Sequence, residues 1–139
     1  MILFTDGACI NNGTPNAKAS YGFYCESTGY VEAGSGGFEG KHTNNTGELL
    51  AIYYAILYAI GNSDRVSTTI YSDSRYAISS LTVWNIEKKT KGKQKKNYDL
   101  IKMIKKELPL WVKLEWVKGH SEIRGNEIAD FLADNYLKL

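Results

Sequence analysis

No stretch of this chain is apolar for the roughly 18–20 residues that a membrane-spanning helix requires, so no membrane role is expected. The opening residues, MILFTDGAC, lack a basic start, a long apolar core and a small-residue cleavage site. They read as a buried strand and not as a leader, which makes the cytoplasm the expected compartment. Only two cysteines are present, Cys9 and Cys25, and they are not in CxxC spacing. That excludes a cysteine zinc site and a disulfide framework and leaves two reduced thiols. There is no internal repeat and no long Pro- or Ser-rich linker, so residues 1–139 are expected to form one domain. Net charge is nearly absent too, at +2, and the distribution of charge says more than its sum.

What is present is a change of hydrophobic period along the chain. Residues 2–8, 20–26 and 30–39 read as three strands joined by short connections, the first through the turn-rich NNGTPN at Asn11 to Asn16. Short connections of this kind predict an antiparallel meander. From Thr46 to Ile60 the spacing predicts a helix that is apolar nearly all round and therefore buried, ended by Gly61 and Asn62. A fourth strand at 66–72, a helix from Ser74 to Trp84, a helix at 97–107 stopped by Pro109, a fifth strand at 112–117 and a helix at 125–137 complete the order. The pattern predicts an α/β fold: a five-stranded mixed sheet, three strands antiparallel and then two parallel, with helices on both faces.

Several charges stand where charge is costly. Asp6 ends the apolar run Ile2-Leu3-Phe4 and precedes Gly7, while Asp73 ends the fourth strand. Open α/β sheets place their ligands at such strand ends. Glu48 is the one charged residue of the buried helix. Each also has an ordinary reading: Asp6 as a turn residue, Asp73 as a helix cap, Glu48 as a complement to the helix dipole. Asp130 sits in a row with Glu127 and Asp134 that suits a solvated helix face, and spacing does not choose among the three. If the carboxylates converge, two charges ~4 Å apart repel by roughly 4 kcal/mol at an effective dielectric of 20. A cluster of that kind requires protons or a cation. Oxygen ligands without histidine or cysteine favour Mg²⁺ or Mn²⁺.

Two further segments carry chemistry. KKTKGKQKK, from Lys88 to Lys96, packs six lysines around Gly92 between Trp84 and Tyr98. It is either a solvated loop or a contact for a phosphate backbone. His120 follows the fifth strand in VKGHS, between Gly119 and Gly125; it is either an ordinary surface histidine or, beside a metal, a group suited to proton transfer.

Five segments in order, TDGAC (Thr5 to Cys9), TNNTGE (Thr43 to Glu48), DSRY (Asp73 to Tyr76), WVKGH (Trp116 to His120) and NEIAD (Asn126 to Asp130), together resemble type 1 ribonuclease H over nearly the whole chain. The resemblance implies an endoribonuclease that cuts the RNA strand of RNA–DNA hybrids with two Mg²⁺ ions, Mn²⁺ as a substitute, leaving 5′-phosphate and 3′-hydroxyl ends. It assigns metal binding to Asp6, Glu48, Asp73 and Asp130, and proton transfer or product release to His120. It places Cys9, Asn12, Asn44, Asn45 and Arg75 on the RNA strand, Arg75 standing where a glutamine is common in bacterial forms. Thr43 and Asn97 resemble a pocket for a phosphate of the DNA strand. Lys88, Lys89, Lys91, Lys93, Lys95 and Lys96 with Trp84 resemble the basic protrusion, in a segment a few residues shorter than in bacterial forms. The expected partner is the hybrid duplex, and the expected form is a free-standing monomer. Two other classes remain: a binding module without catalysis, and a nuclease of the same fold acting on another substrate.

Overall fold

The computed structural model describes residues 1–89, 92 and 95–138. In chain order the elements are β1 (Ile2–Ile10), β2 (Lys18–Cys25), β3 (Val31–Ser35), α1 (Asn44–Asn62), β4 (Thr68–Ser72), α2 (Arg75–Thr82), α3 (Tyr98–Glu107), β5 (Val112–Trp116) and α4 (Arg124–Tyr136). The strands form one sheet in the order β3-β2-β1-β4-β5. β1 pairs antiparallel with β2, and β2 with β3, while β4 lies parallel to both β1 and β5. The two parallel joins are those reached through helices, as the length of the connections requires.

Strand alternation decides which helix covers which face. On β2, Tyr21, Phe23 and Cys25 belong to the same buried core as Leu49, Ile52 and Ile56 of α1. Their neighbours turn the other way, towards α4: Ser20 Oγ donates to the carbonyl of Ala133 at 2.6 Å, and a methyl group on Gly22 would stand 2.7 Å from the Ala133 nitrogen. Helices therefore lie on both faces. The main core is the α1 side, where Leu3, Phe23, Leu49, Ile52, Ile56, Ile70, Leu100, Ile101 and Ile104 are all completely buried. Burying each such side chain contributes about 1.5–3 kcal/mol before the cost of ordering it.

α1 begins where its cap places it. Thr43 Oγ accepts the Thr46 amide and Thr46 Oγ accepts the Thr43 amide, each at 3.0 Å. Such a reciprocal pair satisfies donors that a helix start leaves free. The helix runs through Gly61 and ends at Asn62, one of the two residues expected to end it, whose side-chain amide donates to the Tyr58 carbonyl. Nor is it buried all round: Leu57 is exposed and three tyrosines, Tyr53, Tyr54 and Tyr58, are half-buried. β3 ends at Ser35, short of the expected 30–39; Gly36 still donates its amide to the Ala19 carbonyl at 2.8 Å and passes so close to the backbones of Ser20 and Gly47 that a side chain would stand 2.8 Å from Ser20. Among the described residues, no helix is long and apolar enough to cross a membrane.

Candidate metal centre and nucleic-acid face

Asp6, Glu48 and Asp73 come together at the end of the sheet where the parallel strands finish. One carboxylate oxygen from each lies within 4.8 Å of the others. Asp6 is on β1, where the register sets it beside Gly22, and Asp73 directly follows β4. Glu48 reaches them because the helix approaches the strand without side chains in between. A methyl group on Gly7 would meet the Glu48 nitrogen at 2.3 Å, and one on Gly47 would meet the Ser20 carbonyl oxygen at 2.5 Å. Across this contact the Gly7 amide donates to Glu48 Oε1. The ordinary readings of two of these acids lapse. Ser74, not Asp73, caps α2, with its Oγ accepting the Ala77 amide at 3.0 Å, and Glu48 is buried beyond the first turn of its helix.

Asp130, on α4, lines the same open cavity of about 320 Å³ together with Asp6, Gly7, Asn44, Glu48, Asp73, Ser74 and His120. Its two row-mates, Glu127 and Asp134, are exposed and border a neighbouring cavity. His120 is exposed and held at φ 55, a left-handed conformation on the loop between β5 and α4, and it borders both cavities. Gly119 lies against the Asp73 carboxylate so closely that a side chain there would stand 2.8 Å from Oδ2.

Burial dominates the electrostatics. It pushes the Asp6 carboxyl up to about 8; a hydrogen bond with Glu48 works against the rise, and the charges of Asp73 and Asp130 add to it. Burial likewise holds Glu48 well above the usual carboxylate range, with the charges of Asp6 and Asp73 pushing the same way. In the absence of a cation this cluster keeps protons that water would remove. Among the described residues, no lysine or arginine borders the cavity. An all-oxygen donor set with this surplus of negative charge fits a hard divalent cation.

Of the other residues expected to meet a nucleic acid, some lie beside this cluster and others border separate cavities. Asn44 borders the cavity and Asn45 follows it, half-buried, in the first turn of α1; Asn12 reaches over from the loop after β1, its Oδ1 accepting the Asn44 amide at 3.2 Å. Cys9 is half-buried near the end of β1. Arg75 opens α2 with its guanidinium carbon over the Trp116 ring, 3.8 Å from its centre. Asn97, at φ 61 before α3, donates to the Tyr76 hydroxyl at 2.8 Å and borders a cleft of about 270 Å³ with Lys41, Thr46, Lys95 and Lys96. Thr43 borders a separate cavity of about 410 Å³, and Lys41 is common to both. In the basic segment Lys88, Lys89 and Lys96 are exposed, and Lys95 stands over Trp84 at 4.9 Å. Lys91 and Lys93 lie outside the described residues.

The RNase H family matches residues 1–138. A ribonuclease H from Ruthia magnifica is 30% identical over 148 aligned positions, covering 96% of this chain and 92% of the relative. The chain belongs to the ribonuclease H family. A ribonuclease H from Schizosaccharomyces pombe is 36% identical over 95% of this chain, which spans only 51% of that longer protein. In fold, the foamy viral protease-reverse transcriptase solved in complex with an RNA/DNA hybrid superposes with a TM-score of 0.77 at 20% identity, over 96% of this chain and 19% of the viral one.

For this ribonuclease H family member, sequence reasoning overlooked three residues beside the site. Lys41 offers a cation between the two cavities, and its only signal was a lysine in a Gly-Lys turn. Tyr76 anchors Asn97 and packs edge-on against Trp84, a link that unites α2 with the start of α3 and follows no spacing. Trp116 was read only as part of a motif, yet its indole N–H donates to the Asp73 carbonyl at 3.0 Å.

Proposed function

We propose that this chain hydrolyses the RNA strand of RNA–DNA hybrids and leaves 5′-phosphate and 3′-hydroxyl ends. The observation that carries this reading is the convergence of Asp6, Glu48 and Asp73 within 4.8 Å, in a cavity that Asp130 also lines, in a chain of the ribonuclease H family. The four carboxylates would hold two Mg²⁺ ions, or Mn²⁺ in their place. When bound, such a pair supplies activation of water and stabilisation of the leaving 3′ oxygen.

The chain's own residues supply the rest. Asp6 and Glu48, whose carboxyls burial raises above the ordinary range, would hold the cations in their carboxylate form. The Gly7 amide fixes one oxygen of Glu48 and leaves the other for the site. His120, exposed at the edge of the cavity, takes or returns a proton at its imidazole. Asn12, Asn44, Asn45, Cys9 and Arg75 line the side of the RNA strand. Small polar groups there suit the 2′-hydroxyls that a shallow minor groove exposes. Asn97 and Thr43, with Lys41 nearby, face the DNA strand. The protrusion, from Lys88 to Lys96, holds phosphates. The hybrid in the foamy viral complex supports this choice of substrate for the same fold.

The products test it. Fragments made from a labelled hybrid in Mg²⁺ should carry 5′-phosphate and 3′-hydroxyl by mass. Fragments ending in a 2′,3′-cyclic phosphate would show attack by the 2′-hydroxyl and would contradict the proposal.

A further inference from the structure

Asp73 is held by the strand beside it as well as by its own. Trp116 ends β5, the edge strand, and faces Ser72 in the register. The Val117 amide donates to the Ser72 carbonyl at 2.9 Å, and the Trp116 indole N–H donates to the next carbonyl, that of Asp73, at 3.0 Å. Two successive carbonyls at the exit of β4 are thus tied to two successive residues of the neighbouring chain segment. Three residues after Trp116, Gly119 lies against the Asp73 carboxylate itself. The Arg75 guanidinium carbon lies over the face of the indole, 3.8 Å from the ring centre. A ring that is 39% exposed would otherwise be free to turn away, and a stacked cation on its face opposes that.

We propose that Trp116 is a positioning residue for Asp73, and that the Arg75 stack holds the indole in its donating pose. Trp116 has no role in contacting cation or substrate. It fixes the peptide from which the Asp73 carboxylate projects, so that three acids meet within 4.8 Å without a search at the moment of metal binding. Arg75 then serves two ends. Its plane is engaged by the indole, and its outward N–H edges remain for the nucleic acid. This inference rests on the metal-centre reading of the acids, but not on the identity of the substrate.

The test separates metal binding from cleavage. Trp116→Phe keeps a ring for Arg75 and removes only the N–H donor. Calorimetry of Mn²⁺ binding without nucleic acid should show affinity weakened about three- to tenfold, the effect of one neutral hydrogen bond. In cleavage of a hybrid, kcat should fall with KM for the hybrid nearly unchanged. Arg75→Lys keeps the charge but loses the planar stack, and should weaken Mn²⁺ binding about twofold while also raising KM. Wild-type Mn²⁺ affinity in both folded variants would overturn the proposal. So would a loss in Trp116→Phe that appears only in KM, since that would make the indole a substrate contact. Should wild type bind Mn²⁺ but fail to cut a hybrid, the proposed substrate falls while the calorimetric comparison still decides the role of Trp116.

Discussion

Gly7 and Glu48 touch backbone to backbone: a methyl group on Gly7 would lie 2.3 Å from the Glu48 nitrogen, and the Gly7 amide donates to the Glu48 carboxylate. This close approach brings an acid of a helix level with an acid of a strand. Gly7→Ala cannot be absorbed by rotating a side chain, because the atoms it meets are main chain. Loss of about 1–3 kcal/mol of stability is expected, with a loss of activity larger than the remaining folded fraction explains. Thermal melts and cleavage rates on one preparation check this; a fully active, fully stable variant would mean that α1 is free to retreat.

Asp6 and Glu48 make the metal-free fold sensitive to pH. In the unfolded chain an aspartate titrates near its ordinary value of 3.8, whereas in the fold Asp6 is raised to about 8. Between those values the folded state binds more protons than the unfolded one. Stability therefore falls as pH rises through that window and is greatest towards its acid end. In EDTA the melting temperature should drop between pH 5 and pH 8, the drop should shrink in Asp6→Asn, and Mg²⁺ should restore what was lost at pH 8. Metal affinity should run the opposite way, increasing with pH as the protons leave. A melting temperature that is flat with pH in EDTA would show that the acids do not share a buried site.

The same substitution divides structure from chemistry. Asp6→Asn should fold, be more stable than the parent at pH 8 without metal by about 1–3 kcal/mol, and show no turnover. Much of the affinity for a hybrid should remain, because the phosphate-binding groups lie elsewhere. An active Asp6→Asn protein would remove Asp6 from the metal site.

His120 adopts φ 55, which asparagine tolerates better than alanine does. His120→Asn should therefore preserve the loop and lower kcat by about 10²-fold, the lower range for loss of a proton-transfer group. An unchanged kcat across pH 6–9 would return His120 to the status of a surface residue.

The fold was legible in the sequence to within a few residues because its signals are local. An apolar run marks β1, helical spacing marks α1, and the length of each connection fixes parallel against antiparallel. Where the reading missed, the cause was tertiary. Gly61 carries a breaker's signal, but it is itself exposed and the helix runs through it to Asn62. Nothing in the spacing shows that Gly36 passes over Ser20. The site was legible in part. Composition showed which acids were costly, while Asp130 could not be separated from Glu127 and Asp134 until the cavity that it borders was known. Tyr76, Lys41 and Trp116 act through contacts between elements distant in sequence, and no periodicity announces those.

Lys95 and Lys96 border the cleft of Asn97, and Lys88 is exposed in the same basic segment. Replacing all three with alanine should raise KM and lessen the slope of log affinity against log salt by about 0.7–0.9 for each phosphate that is no longer neutralised. A KM that is the same at every salt concentration would leave the protrusion as a solvated loop.

The most direct measurement compares one sequence prepared as RNA–DNA hybrid, RNA duplex, DNA duplex and single-stranded RNA, each with Mg²⁺, Mn²⁺ or EDTA. Cutting confined to the RNA strand of the hybrid, present with either metal and abolished by EDTA, is the predicted result. Hybrid binding without cutting in either metal, or cutting of duplex DNA, would contradict it.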